Sequence, residues 1–252
     1  MMRLTNTVKH LLIINALMFV GTLAIGNGEL FYQYFSLYFP KNDAFQPWQL
    51  ITHMFMHGNF QHILFNMFAL WMFGTAVEQV FGTKKFIFFY ISAGLGAAIL
   101  QIAYFYFKFY SGLDLLTSAG FADSQVMEVL SAEFNRYDRR WENVLNPDQL
   151  GSFVGSFNSV MVGASGAIMG VLVAFGMLFP ESKLMLIFLP IPIKAKYFIP
   201  GIIALDLFSA LTGVSIFSPS NTAYVAHIGG ALTGFLMMYF WKKDQFDKYR
   251  WN

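Results

Sequence analysis

Residues 160–180 read VMVGASGAIMGVLVAFGMLFP, 21 residues without a charge. An α-helix rises 1.5 Å per residue, so about 20 apolar residues cross the ~30 Å hydrocarbon core of a bilayer. The stretch is therefore expected to span a membrane. Five other runs are similar: Leu11–Gly28, Gly58–Val77, Phe86–Phe107, Tyr197–Gly213 (interrupted by Asp206) and Asn221–Trp241. A seventh, Leu184–Ile193, is too short to cross and carries Pro190 and Pro192. It is expected to lie at the interface or as a shallow re-entrant segment. The expected fold is all-α and polytopic: one membrane domain over residues 1–252, a six-transmembrane-helix bundle, with an outer-side insertion at about 108–159 between helices 3 and 4.

Composition points the same way. Of 252 residues, 56% are hydrophobic and 12% charged, against about 25% charged in ordinary soluble domains. A water-soluble globule of this size cannot hide so much apolar surface. A net charge of +2 gives no reason to expect nucleic acid as a partner, and the absence of cysteine excludes disulfides and thiolate chemistry.

Orientation follows from the basic residues. Eleven Lys and Arg lie in the N-tail, residues 78–85, residues 181–196 and the C-tail, and five in the alternate loops. The basic side faces the cytoplasm, so both termini are expected there. The first 28 residues resemble a signal peptide but read better as a retained anchor. Within 108–159, Val126, Leu130, Phe134, Tyr137, Trp141 and Leu145 recur at helical spacing, which predicts one amphipathic helix on the outer side.

Polar groups inside spans are costly and usually functional. His62 and Asn66 lie in span two, Ser165 in span four and His227 in span six. These spans all enter from the outer side. If each is a straight helix, the fifth, sixth and seventh residues (His62, Ser165, His227) share one layer about 6–9 Å below their outer ends. Gly166 with Gly170, and Gly230 with Gly234, make small-xxx-small faces that let two helices approach closely. Close approach is what a serine–histidine pair needs. His62 and Asn66, four apart, share one helical face and offer hydrogen-bond donors for an oxyanion. His53 and His57 could join His62 in a metal cluster, but no HExxH and no nearby carboxylate accompany them, and a structural role fits better. Asp206 reads as a buried, paired or protonated group that fixes span packing, and Glu78 as a capping or loop-anchoring residue.

Gly163-Ala164-Ser165-Gly166, Ala226-His227 and His62-Ile63-Leu64-Phe65-Asn66, with Thr52-His53-Met54-Phe55-Met56-His57 and Gly74-Thr75-Ala76-Val77-Glu78, resemble the bacterial-type rhomboid intramembrane serine proteases. The resemblance covers about Trp48 to Trp241 without the insertion. It implies a Ser165–His227 dyad with no third acid and an oxyanion hole from His62, Asn66 and the Ser165 N–H. It also implies transmembrane proteins as substrates, no cofactor, and an inner-membrane location with the site open to the outer side. Two positions depart from the family pattern. Trp48-Gln49 stands where a Trp-Arg pair is usual, and Met169 stands where many relatives carry an aromatic ring beside the histidine. A small transporter and a non-catalytic client-binding member of the same fold are the other function classes considered. No inverted repeat supports the first, and the second would be expected to lack the serine or the histidine.

Overall fold

The computed structural model describes residues 4–186, 189–214 and 223–248. The chain begins with α1 (Asn6–Ala24) and the short α2 (Glu29–Phe35). A two-residue strand β1 (Leu37–Tyr38) and a single turn α3 (Gln49–Thr52) follow. Helix α4 (Phe60–Ala69) continues through a π-helical turn, Leu70–Gly74, into α5 (Thr75–Phe81). Next come α6 (Thr83–Ser118), α7 (Asp123–Ala132) and α8 (Pro147–Phe157). Strand β2 (Val160–Met161) leads into α9 (Ser165–Leu178). A hairpin, β3 (Lys183–Leu186) and β4 (Leu189–Lys194), then leads to α10 (Ala195–Thr212) and α11 (Tyr224–Lys248).

Among the described residues, α1, the continuous α4–α5 rod, α6 and α10 are long and apolar enough to cross a bilayer. Helices α9 and α11 complete six rods. The first two residues of the expected sixth span, 221 and 222, fall outside the described residues. Leu17, Val20, Leu23 and Leu211 point outward from the bundle. Lipid, not water, suits such a surface, because helices satisfy their own backbone and leave only side chains to face the hydrocarbon.

Helix α9 is the axis of the bundle. Every residue from Gly166 to Phe175 is buried, which explains why its sequence is apolar on all sides. Its closest neighbour is α11. A Cβ built on Gly234 would lie 2.7 Å from the Gly170 Cα and 2.8 Å from its carbonyl oxygen, and one on Gly230 would overlap the Gly166 carbonyl. On another side, Gly166 and Gly170 abut Ala97 and Ala93 of α6. The small-residue faces read from the sequence therefore do pack, in a three-helix contact.

Four expectations change. The run 160–180 is not one helix: its first residues pair as β2 with β1 (Leu37 opposite Met161, Tyr38 opposite Val160), and the helix starts only at Ser165. Gly163, at φ +122°, is in a conformation that no helix accommodates. The apolar stretch 184–193 forms the β3–β4 hairpin, with Lys194 and Lys196 paired to Glu181, rather than a re-entrant segment; residues 187 and 188 lie outside the described residues. The third span continues into the insertion, because α6 runs for 36 residues, about 54 Å. The single amphipathic helix of the insertion is broken. Helix α7 ends at Ala132, Asn135 takes a left-handed φ of 59°, and Phe134 and Tyr137 are exposed. The remaining stripe residues, Val126, Leu130, Trp141 and Leu145, join Phe109, Leu113 and Leu116 of α6 and Phe153 and Phe157 of α8 in a second apolar core. The insertion is thus a small packed unit on the overhanging end of α6.

Two polar hubs fix the ends of the bundle. Buried Glu78 accepts the N–H groups of Thr7 (3.1 Å) and Val8 (3.0 Å), which are orphan donors at the start of α1, and the Thr83 hydroxyl (3.2 Å). The anchoring role expected for it is what the structure shows. At the other end, fully buried Gln49 accepts from the Gln46 N–H (3.0 Å) and donates to the Gln33 (3.1 Å) and Ala44 (3.0 Å) carbonyls. A neutral amide with two donors and an acceptor therefore organises the loop between α2 and α3. His53 and His57 are buried in the same region. The His53 Nδ1 lies 2.7 Å from the Gln49 carbonyl, and neither ring nitrogen of His57 has a hydrogen-bond partner. Burial lowers the His53 pKa to about 4, and burial together with the neighbouring His62 ring lowers that of His57 to about 3.

Two predictions follow from this packing. Gly234→Ala pushes a methyl into the α9 backbone and lowers stability by about 1–3 kcal/mol. Gly151→Ala, on the exposed face of α8 with open space around it, raises stability by up to about 1 kcal/mol; thermal melts in detergent read both. The neutral buried histidines also make stability depend on pH. The unfolded chain takes up their protons below about pH 6.5, and the folded chain does so only near pH 3–4. Stability is therefore complete above pH 6.5 and falls as pH drops through that window, by about 2 kcal/mol per histidine at pH 5. Melts from pH 7 to 5 should show this loss, with a shallower slope in His57→Asn.

Candidate active site

Ser165 is set by the chain just before it. The Gly163 N–H donates to the His53 carbonyl (2.9 Å), tying this turn to the loop ahead of α4. The β1–β2 pairing holds it from the other side. Ala164 is the N-cap and Ser165 the first residue of α9. The N–H groups of a first helical turn lack intrahelical acceptors, and the helix dipole is positive there. Ser165 therefore sits on a helix N-terminus, not the sixth residue down a straight span.

His227 lies in the first turn of α11, and its Nε2 is 2.9 Å from the Ser165 Oγ. The bond spans two helices held together by the glycine contacts below it. The start of α11 is fixed by Gln101 of α6, whose buried side-chain oxygen accepts the Ala226 N–H at 3.1 Å. The sequence reading did not single out Gln101. Its signal was available: a neutral amide within the apolar run 86–107 needs a partner in the bundle.

The second nitrogen of His227 is also engaged. Its Nδ1 lies 2.9 Å from Oδ2 of Asp206, which is buried on α10. Asp206 is thus paired, but with the histidine facing Ser165 rather than in a remote packing contact. The side chains of Ser165, His227 and Asp206 form one continuous chain.

His62 and Asn66 come from α4. Asn59 caps that helix by accepting the His62 N–H (2.8 Å). The His62 Nδ1 accepts the Gly58 N–H at 3.5 Å, which leaves the proton on Nε2. That Nε2 faces Gly163: a Cβ on Gly163 would lie 2.8 Å from it and 3.7 Å from the Asn66 Nδ2. The Asn66 Nδ2 is buried and has no hydrogen-bond partner. An unused amide donor next to the serine turn is an unusual cost in a folded protein. Gly163 is required twice here, by its left-handed backbone and by the His62 ring against it.

Ser165, His62 and His227 are therefore the first, third and fourth residues of α9, α4 and α11. The expected depth of about 6–9 Å below the helix ends does not hold: the three lie in first helical turns, where Ser165 meets His227 and His62 faces Gly163. His57 lies against His62 with ring centroids 5.0 Å apart. Among the described residues no group of three His, Asp or Glu side chains is placed to hold a metal ion. Met169 is buried in the main core.

Comparison with known proteins adds the ancestry of this arrangement. A family model described as "Rhomboid domain" matches residues 44–147 and 147–243. The chain is 28% identical over 199 residues to Rhomboid protease AarA of Providencia stuartii, covering 75% of this chain and 54% of that protein. It is also 28% identical over 202 residues to the mitochondrial presenilin-associated rhomboid-like protein of Rattus norvegicus, covering 78% of this chain and 39% of that one. A 57-residue segment is 37% identical to Rhomboid protease GluP of Bacillus subtilis, 23% of this chain and 11% of that protein. The chain thus spans about half or less of the length of these curated relatives. With the matched model covering most of its sequence, this integral membrane protein belongs to the rhomboid family.

Proposed function

We propose that this protein is an intramembrane serine endopeptidase that cuts membrane-protein substrates in or near their transmembrane helices. The observation that carries the reading is the 2.9 Å contact between the Ser165 Oγ and the His227 Nε2 at the N-terminus of α9, beside the unpartnered Asn66 amide. The naming of two of its relatives as rhomboid proteases supports it. Both candidate residues are present, which favours a catalytic over a client-binding member of the family.

The reaction is acyl transfer to water. His227 takes the proton of the Ser165 hydroxyl as the oxygen attacks a peptide carbonyl. Negative charge then develops on the carbonyl oxygen. The Asn66 Nδ2–H, the His62 Nε2–H and the Ser165 backbone N–H stabilise it, aided by the positive end of α9. His227 returns the proton to the leaving amine, then takes one from water as that water attacks the acyl-enzyme. Release of the carboxylic acid restores the serine. Water reaches the site from the outer face of the membrane, with both termini on the cytoplasmic side, as the distribution of Lys and Arg supports. A helical substrate shields its own peptide bonds, so the cleaved segment must unwind locally. Helix-weakening residues there should speed cleavage.

The test is cleavage of a single-span substrate in proteoliposomes, together with labelling by a fluorophosphonate probe. Wild type should cleave and label. Ser165→Ala should do neither, and His227→Ala should lose activity by several orders of magnitude. Asn66→Ala should lower kcat about 10²- to 10³-fold with little change in KM, because its donor acts on charge present only in the transition state. Equal cleavage by wild type and Ser165→Ala would sink the reading.

A further inference from the structure

We infer that Asp206 is a positioning residue for His227: its carboxylate holds the Nδ1–H, fixes the tautomer and stabilises the imidazolium formed when Ser165 is deprotonated. This rests on the protease reading above and goes beyond a two-residue Ser–His mechanism.

The geometry of the pair leads to it. The Asp206 Oδ2 lies 2.9 Å from the His227 Nδ1, and the opposite ring nitrogen lies 2.9 Å from the Ser165 Oγ. An ionised carboxylate only accepts hydrogen bonds, so the proton of the neutral ring is on Nδ1. The lone pair is then on Nε2, facing the serine hydroxyl. A general base for Ser165 needs that tautomer, and the contact with Asp206 selects it. A buried carboxylate on an apolar helix is otherwise hard to account for. Asp206 lies within Ile202-Ile203-Ala204-Leu205-Asp206-Leu207-Phe208, an apolar helix segment where an acid is costly. Among the described residues its ion pair is with His227.

The placement also suits the order of events. Asp206 meets the Nδ1 edge of the imidazole and Ser165 the Nε2 edge, so the carboxylate lies on the side of the ring away from the serine. His62 is the other titratable group near His227, contributed by α4. When the proton moves from Ser165 to His227, the new positive charge sits between Asp206 and the site, with the acid already in place. No reorganisation is needed at that step. The proton transferred is the serine's. The Nδ1 proton stays on the ring throughout, and Asp206 remains ionised.

The experiment compares the full chain and Asp206→Asn, which keeps the shape and one acceptor but reverses the tautomer preference. In proteoliposomes, kcat for a single-span substrate should fall about 10²-fold or more, with KM within about twofold, and fluorophosphonate labelling of Ser165 should slow in parallel. A packing role alone would leave kcat and labelling near wild type in a folded variant. If Asp206→Asn does not fold, proton NMR of the other proteins decides. A strongly deshielded imidazole N–H signal should be present in wild type, persist in Ser165→Ala and vanish in His227→Ala; its absence from wild type overturns the inference. Cleavage that depends on Ser165 and His227 but not on Asp206 overturns this inference alone. Cleavage that is indifferent to Ser165 overturns the protease reading and this inference with it.

Discussion

The close approach of α9 and α11 is the constraint on which the rest depends. Their backbones touch where Gly166 and Gly170 meet Gly230 and Gly234. At an ordinary interaxial distance of 8–10 Å, side chains would separate the two axes. A serine and a histidine at the helix starts would then need long, poorly defined side-chain paths to meet. With glycines at the crossing, the short Ser165 hydroxyl reaches the imidazole directly. A membrane offers no hydrophobic force to press helices together, so backbone packing of this kind must supply the contact.

Around that crossing, three buried polar side chains hold the backbone in place. Glu78 caps α1, Gln49 shapes the loop between α2 and α3, and Gln101 holds the start of α11. Each satisfies backbone groups that the hydrocarbon could not. Other buried polar atoms have no hydrogen-bond partner, among them the Tyr90 and Thr75 hydroxyls and the side-chain nitrogens of His57 and Asn66. Asn66 is beside the nucleophile, where an unsatisfied donor is available to a developing oxyanion. A buried donor left unpaired costs stability locally.

The insertion shows the same logic on a different scale. By continuing about 54 Å, α6 leaves the bundle and exposes an apolar face formed by Phe109, Leu113 and Leu116. Helices α7 and α8 and the turn carrying Trp141 cover it. Helix α8 begins with a reciprocal Asn146–Gln149 cap and Pro147 at its first position, so its start is encoded locally. The continuity of the amphipathic stripe was misleading because Phe134 and Tyr137 kept its period after α7 had ended at Ala132.

The sequence by itself determined the membrane class, the approximate spans and the glycine faces, and it singled out Ser165, His227, His62 and Asn66 as candidates. These follow from local quantities: run length, charge and residue spacing. It did not determine that Ser165 starts a helix, because Val160–Gly163 is as apolar as a span and only long-range pairing with β1 and the His53 carbonyl turns it into a strand and a bend. Nor did it assign Asp206 to His227. The two lie 21 residues apart on different helices, and a residue's partner across a bundle depends on how both helices rotate about their axes. That rotation is set by packing against α9, which only the tertiary structure resolves.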